Sequence, residues 1–201
     1  MSDRHQFRAK WHDYNGGIYF ITICAHEKRH IFGRIYNTSF TPSMVGQIID
    51  QCINTIHNIH PHAEVWNYVI MPNHIHMVLS VGAQYIAPTS DEQQFIAPTS
   101  DKQQFITSTS EYIATNTGCL KPPMHSEAVS DNHFNSKLAV IVRTFKAAVT
   151  RITRAQCIAP LPHPIWQRNY HEHIIRNQRA FDNIMSYIDS NIENWSKDCF
   201  A

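Results

Sequence analysis

The sequence predicts an α+β fold of the ferredoxin-like type, a sandwich in which an antiparallel sheet carries helices on one face. Two observations lead to this fold class. Segments rich in β-branched and aromatic residues alternate with amphipathic stretches in the order β–α–β–β–α–α, and neighbouring strands are expected to pair antiparallel. The chain has 201 residues, of which 43% are hydrophobic, so it suits one packed domain with an insertion.

The N-terminal part contains the predicted strands and the first helix. Residues 17–25 are rich in β-branched and aromatic side chains and predict the first strand, and residues 30–36 are expected to pair with it as a hairpin arm. Residues 42–59 carry apolar side chains at helical spacing, with a proline at the start. Residues 64–71 and 74–81 predict the next two strands.

Two further helices are predicted in the C-terminal part. Residues 136–154 and 178–195 each place apolar side chains on one stripe with helical periodicity. The stripes consist of Leu138, Ile141, Val142, Phe145, Val149 and Ile152 in the first helix, and of Phe181, Ile184, Met185, Ile188, Ile192 and Trp195 in the second.

A ten-residue repeat interrupts this pattern. Residues 85–94 and 95–104 are near-identical copies, and residues 105–114 are a degraded third copy. Their period is polar, and Pro, Ser and Thr break any helix, so residues 82–135 are interpreted as a flexible low-complexity insert. Either a docking arm or a tolerated duplication would explain it. The predicted organisation is an N-terminal part of the catalytic domain at 1–81, the insert at 82–135, and a C-terminal part at 136–201.

Composition bounds the class of protein. The insert holds six acidic and two basic residues, a net charge of −4 within a chain total of +1, so the remainder carries +5; a basic body is compatible with a phosphate-bearing partner. The five cysteines are scattered without any C-x-x-C pair, which favours free thiols in a reducing cytoplasm. No apolar run is long enough for a membrane span, and the polar N-terminus does not resemble a secretory signal.

The segment from Tyr68 to Ser80 carries the strongest chemical signal. It reads Y-V-I-M-P-N-H-I-H-M-V-L-S, a strand, a Met-Pro-Asn break, and a second strand that opens with two histidines. Because alternate strand residues share a face, His74 and His76 are expected on one side and Ile75 on the other. Two neutral imidazoles on one strand make a natural half-site for a divalent metal. The alternative is a pair of surface or half-buried histidines.

The two C-terminal helices carry further candidates. In the first, Arg143, Lys146, Arg151 and Arg154 cluster opposite the apolar stripe, which fits either phosphate contacts or an ordinary solvated face.

In the second C-terminal helix, Asn183, Tyr187 and Asn191 follow at intervals of four along one edge of the apolar stripe. A tyrosine beside a metal is a candidate nucleophile, and Asn191 a candidate third ligand. The alternative is a tyrosine at the edge of the core with its hydroxyl in water.

Residues 166–176 read W-Q-R-N-Y-H-E-H-I-I-R and are dense in groups that could contact DNA or orient catalytic residues. Glu172 and His173 could pair to support a metal ligand, or His173 could approach the metal itself. Tyr170 is a rival nucleophile, and the remaining candidates for DNA contact are Arg168 and Arg176. The alternative is a structural turn anchored by Trp166.

Taken together, these segments resemble the REP-associated single-tyrosine transposases of the HUH nuclease superfamily. The resemblance covers most of the chain outside the insert, in the same order, and rests on Tyr14–Ala25, Tyr68–Leu79, Ile141–Arg151, Trp166–Arg176 and Ser186–Asn191. Two features depart from the family pattern. His171 stands where relatives often have an aromatic residue, and the acidic insert is unusual.

The resemblance implies a metal-dependent enzyme that cuts and rejoins single-stranded, hairpin-flanked DNA. His74 and His76 match the family's His-hydrophobic-His motif and would hold Mg²⁺ or Mn²⁺, with Asn191 as a polar third ligand. Tyr187 matches the nucleophile, which forms a 5′-phosphotyrosine and releases a 3′-hydroxyl. Such an enzyme would act in the bacterial cytoplasm at the nucleoid, as a monomer or a homodimer.

Two other functions fit the same residues. A domesticated relative would bind hairpin DNA without cutting it. An unrelated hydrolase would activate water with a metal held by His74, His76 and His173, and its activity would survive loss of Tyr187.

Overall fold

The computed structural model describes residues 12–82, 135–156 and 163–198. Its strands are β1 (Gly17–Cys24), β2 (Gly33–Tyr36), β3 (Ser39–Pro42), β4 (Ala63–Ile70), β5 (His74–Val81) and β6 (His171–Ile175), and its helices are α1 (Met44–Asn54), α2 (Ile56–Ile59), α3 (Lys137–Gln156) and α4 (Gln178–Ser190). Two short 3₁₀ helices span His26–Lys28 and Trp195–Lys197.

The predicted ferredoxin-like arrangement is confirmed. Strands β4, β5, β1 and β6 form one sheet in that order, and every neighbouring pair is antiparallel. With α1 and α3 as the two connections, the chain follows a β–α–β–β–α–β path. The fourth strand, β6, lies in a segment that the sequence did not identify as a strand. It is an edge strand with mostly polar, incompletely buried residues, so it lacks the apolar signature of the other three.

One face of the sheet packs on α1 and α3 and forms the hydrophobic core. Tyr19, Ile21 and Ile23 of β1 and alternate residues of β5 are completely or almost completely buried there. Helix α1 begins after Ser43, whose hydroxyl accepts a hydrogen bond from the Gly46 amide. A side chain at Gly46 would collide with the Phe32 carbonyl oxygen, so this close approach requires glycine.

Helix α4 lies across the opposite face, against β4 and β5, so the expected placement of the helices on one face holds for α1 and α3 but not for α4. Its attachment includes an edge-to-face contact between Trp66 and Phe181 with ring centroids 5.5 Å apart and a hydrogen bond of 2.8 Å from Asn67 Nδ2 to Asp189 Oδ1. Strand β4 is irregular between Val65 and Asn67, which is the position where these contacts are made.

The predicted hairpin pairing of residues 30–36 with β1 is wrong. Strand β2 pairs with β3 instead, in register from Gly33 opposite Pro42 to Tyr36 opposite Ser39. Asn37 and Thr38 join them with φ angles of 48° and 59°, the left-handed turn that closes a two-residue hairpin. This local closure is what competes successfully with pairing to β1.

The predicted extents of two helices also differ from the structure. The predicted helix over 42–59 is divided at Thr55 into α1 and α2. The last helix ends at Ser190, and Asn191 caps it, so Ile192 and Trp195 lie beyond the helix rather than on it.

Some predictions fall outside the described residues. These are the insert at 82–135 (apart from its two end residues), and Cys119, Cys157 and Cys199. Cys24 and Cys52 are described, and both are buried. Among the described helices, none combines the length and apolar character needed to cross a membrane.

Candidate metal and nucleophile site

The two histidines of β5 meet on the sheet face that α4 covers. His74 and His76 are 0% and 2% exposed, and their Nε2 atoms lie 3.0 Å apart. The two rings are nearly perpendicular to each other, with an interplanar angle of 70°. The strand alternation expected from the sequence therefore brings both imidazoles to one point, with Ile75 in the core.

Each imidazole is held at its other nitrogen by a buried side chain. His74 Nδ1 lies 2.8 Å from Asn73 Oδ1, and His76 Nδ1 lies 2.8 Å from Thr22 Oγ1. Phe20 stacks on the His76 ring, with centroids 5.1 Å apart. These contacts fix the ring planes and leave both Nε2 atoms directed at the same volume.

Burial keeps both imidazoles neutral. Desolvation lowers the pKa of His74 to about 3, and the nearby charge of Lys28 adds to the effect. Desolvation also lowers the pKa of His76 to about 3; His74 adds to this effect, whereas Asp198 opposes it. A neutral imidazole offers the lone pair that a metal ligand needs.

Asp198 is a candidate ligand that the sequence interpretation missed. Its Oδ2 atom lies 3.6 Å from His74 Nε2, and its side chain is only 5% exposed. In the described part of the chain, His74, His76 and Asp198 offer three ligand atoms within 4.8 Å of one another. No sequence spacing marks this residue, because it lies beyond α4, just after the 3₁₀ turn in which Trp195 stacks on His74 at 6.1 Å.

The donor set fits a small divalent cation. Two nitrogens and a carboxylate oxygen converge in a buried position, a set that binds several divalent metals. Adjacent ligands of an octahedral ion with bonds of about 2.1 Å are about 3.0 Å apart, and the observed separation of the two Nε2 atoms is 3.0 Å.

Tyr187 lies directly beside this group. Its hydroxyl oxygen is 3.2 Å from His76 Nε2, and the residue is 43% exposed, so the hydroxyl is close to the ligand atoms while part of the side chain is open to solvent. Asn191 is 3% exposed, and its Oδ1 atom is buried without a hydrogen-bond partner.

The structure does not bring the other histidine and tyrosine candidates to this group. His173 is opposite Phe20 on the edge strand β6 and is not part of the ligand cluster found among the described residues. Glu172 is opposite Ile21 and so faces the core side, which prevents it from pairing with His173 across one face. Tyr170 packs against the hydrophobic core.

The basic residues of α3 divide into two kinds. Lys146, Arg151 and Arg154 line a cleft of about 450 Å³ together with Trp166, whereas Arg143 is exposed outside the cleft lining. Lys146 Nζ donates to the carbonyl oxygens of Gln167 and Asn169 at 2.7 and 3.0 Å.

These two hydrogen bonds anchor the loop before β6, and burial lowers the pKa of Lys146 to about 8. Arg151 and Arg154 are exposed, as are Arg168 and Arg176.

Comparison with solved structures agrees with the fold. No protein-family profile matches the sequence. An uncharacterized protein of Haemophilus influenzae is 30% identical over 196 residues, which is 97% of this chain and 91% of that protein. The solved structure of a REP-associated tyrosine transposase bound to a REP hairpin matches with a TM-score of 0.50 at 15% identity, over 97% of this chain and 74% of that one. The chain therefore belongs to the family of the Haemophilus influenzae protein and has the fold of a REP-associated tyrosine transposase.

Proposed function

We propose that the protein is a DNA transposase or nuclease that cuts and rejoins single-stranded, hairpin-flanked DNA, with Tyr187 as the nucleophile. The single observation that carries the proposal is the 3.2 Å distance between the Tyr187 hydroxyl and His76 Nε2, because His76 also belongs to the candidate metal group. The shared fold supports the same reaction class, and the transposase of that structure is bound to a hairpin.

The metal centre of this proposal consists of His74, His76 and Asp198, with Asn191 as a further oxygen donor at the end of α4. Mg²⁺ or Mn²⁺ would suit a set that combines imidazole with oxygen ligands. When bound, such an ion polarises a phosphoryl oxygen and stabilises the charge that develops on the phosphate.

The side chains of the protein would then perform a transesterification. The Tyr187 oxygen attacks the phosphorus, a bond forms between them, and the bond from phosphorus to the 3′ oxygen breaks. The tyrosine loses its proton, and the departing 3′ oxygen takes one up to become a hydroxyl. The product is a 5′-phosphotyrosine, whose phosphoester bond can be attacked by another 3′-hydroxyl to rejoin DNA.

DNA contact is proposed for the exposed basic side chains. Arg151 and Arg154 border the cleft beside Trp166, and Arg143 is exposed on the same helix. Arginine on a helix face is well suited to phosphate oxygens. Arg168 and Arg176 are exposed near β6 and extend the candidate surface. Lys146 instead stabilises the loop before β6 through its two hydrogen bonds. An enzyme of this kind would work at the bacterial chromosome.

The test uses hairpin oligonucleotides with single-stranded flanks, labelled at either end, with Mg²⁺ or Mn²⁺. Denaturing gels would resolve a covalent protein–DNA product. We expect an adduct on the 5′ phosphate that disappears in Tyr187→Phe and His74→Ala and persists in Tyr170→Phe.

Each other outcome would identify a different nucleophile or a different kind of protein. Loss in Tyr170→Phe alone would move the nucleophile to Tyr170. Cleavage without an adduct that survives Tyr187→Phe would identify a hydrolase that uses water. Tight hairpin binding with no cleavage of any substrate would identify a binding protein and overturn the proposal.

A further inference from the structure

The buried partners of the two imidazoles differ in hydrogen-bonding capacity. Asn73 is 1% exposed and Thr22 is 5% exposed, and each lies 2.8 Å from one Nδ1 atom. An amide oxygen can only accept a hydrogen bond, whereas a hydroxyl can donate or accept. The two histidines are therefore held by partners that impose different limits on their protons.

The orientation of the Asn73 amide is set by a second contact. Its Nδ2 group donates to the Lys28 carbonyl oxygen at 3.2 Å, so Oδ1 must be the atom that faces His74. An oxygen acceptor requires a proton on His74 Nδ1, and a neutral imidazole then has a bare lone pair on Nε2. His74 is thereby fixed in the tautomer that a metal ligand needs.

His76 meets a different situation at its Nε2 atom. That atom is 3.0 Å from His74 Nε2, and two bare lone pairs at this distance repel each other unless a proton or a cation lies between them. Without a cation, a proton on His76 Nε2 resolves the conflict, and Nδ1 then accepts from the Thr22 hydroxyl. With a cation, both Nε2 atoms must be bare, and Nδ1–H of His76 donates to the same hydroxyl.

We propose that Asn73 and Thr22 are positioning residues with distinct tasks: Asn73 locks His74 in its ligand tautomer, and Thr22 lets His76 change tautomer as a divalent cation binds. Thr22 is directly opposite His76 in the pairing of β1 with β5, so its hydroxyl is in place for both states. The proton changes from Nε2 to Nδ1 of one ring, so the His76 imidazole stays neutral in both states. This inference rests on the metal centre of the proposed function.

Two-bond ¹H–¹⁵N spectra of the histidine rings, recorded with and without Mg²⁺, test the proposal directly. We expect His74 to carry its proton on Nδ1 in both samples and His76 to change from Nε2–H to Nδ1–H when Mg²⁺ is added. A His74 ring protonated on Nε2 in the metal-free protein, or a His76 ring that keeps its tautomer in saturating Mg²⁺, would overturn it.

A metal titration with Mn²⁺, followed by electron paramagnetic resonance, gives a second measure. Thr22→Val should weaken Mn²⁺ binding about 10- to 100-fold, as expected when the outer partner of a ligand histidine is lost, and Thr22→Ser should restore most of it. Thr153→Val is the matched control, because Thr153 is 0% exposed and its hydroxyl has no hydrogen-bond partner. Equal Mn²⁺ affinities for Thr22→Val and the native protein would reject the role of Thr22.

These measurements separate the inference from the proposed reaction. Absence of DNA cleavage by a protein that binds Mn²⁺ normally would overturn the nuclease but leave the tautomer change intact. Failure of the native protein to bind either ion would overturn the metal centre and the task of Thr22, while the metal-free spectrum would still decide the task of Asn73.

Discussion

The two faces of the four-stranded sheet bury different kinds of groups. The face against α1 and α3 is apolar, and its residues from β1 and β5 are almost completely buried. The face against α4 buries two imidazoles, a threonine hydroxyl and an aspartate side chain, all of them in contact with other polar atoms. Since consecutive residues of β5 alternate between these environments, neighbouring residues of a single strand supply the core packing and the proposed chemistry.

The largest expected contrast comes from adjacent residues of β5. Ile75→Ala removes a completely buried side chain from the core and should lower the free energy of unfolding by about 2–5 kcal/mol. His76→Asn should abolish adduct formation at a much smaller cost in stability. Urea unfolding and the hairpin cleavage assay measure the two effects, and a His76→Asn protein that loses more stability than Ile75→Ala would contradict the division between the faces.

The imidazole face should also make stability depend on pH. The pKa values of His74 and His76 are about 3 in the folded protein and about 6.5 in an unfolded chain, so the unfolded chain binds more protons between these values. The metal-free protein should therefore lose stability as pH falls from about 6.5 towards 3. The loss should amount to several kcal/mol, because one pKa unit corresponds to about 1.4 kcal/mol.

Variants identify the source of this pH dependence. Urea unfolding at pH 7.5 and pH 5 should show a smaller difference for the double variant His74→Gln, His76→Gln than for the native protein. His171→Gln, at an exposed position, serves as the control and should behave as the native protein does. If the double variant shows the same difference in stability between pH 7.5 and pH 5 as the native protein, the pH dependence comes from other groups.

The arginines of α3 should influence the affinity for DNA without changing the rate of adduct formation. Arg151→Ala with Arg154→Ala should weaken hairpin binding about tenfold at low salt and reduce the salt dependence, because fewer phosphates are neutralised. The adduct rate at saturating DNA should stay unchanged.

Lys146→Met offers a comparison within the same cleft. Its two hydrogen bonds go to backbone carbonyls, so this change should lower stability by about 1–2 kcal/mol and leave the salt slope of DNA binding as it is. A steeper or shallower slope for Lys146→Met would show that Lys146 contacts phosphate after all.

The smallest expected effect concerns the attachment of α4. Asn67→Ala removes the hydrogen bond to Asp189 and should cost about 1 kcal/mol, felt by α4 rather than by the core. Hydrogen exchange should speed up at the amides of α4 and remain slow in β1 and β5. Uniformly faster exchange in all elements would mean that the helix and the sheet unfold as one unit.

The sequence predicted the features that depend on local patterns. Alternation in β5 placed His74 and His76 on one face, and apolar periodicity located α3 and most of α4. It failed for β6, which is mostly polar and becomes a strand because β1 offers it a partner. It also failed for residues 33–36, which a tight local turn pairs with β3 rather than with β1.

The site shows the same boundary between local and long-range information. The proposed role of Tyr187 could be suggested from helical spacing and family resemblance, but the candidate ligand Asp198 could not, since it reaches His74 only after the chain turns back beyond α4. Thr22 was likewise invisible in the sequence, because only the register between β1 and β5 brings its hydroxyl to His76.

The alternation along β5 has a consequence for how copies of this gene would decay. Inserting or deleting one codon within the strand would exchange the faces of the residues beyond it, so Ile75 or Met77 would enter the polar site under α4 and an imidazole would enter the core. Such a copy loses its fold together with its chemistry. A missense change at Tyr187, which is partly exposed, silences the chemistry and spares the fold. The copies that persist as folded proteins therefore include those that have lost only the nucleophile. An intact fold alone does not show that such a copy is active.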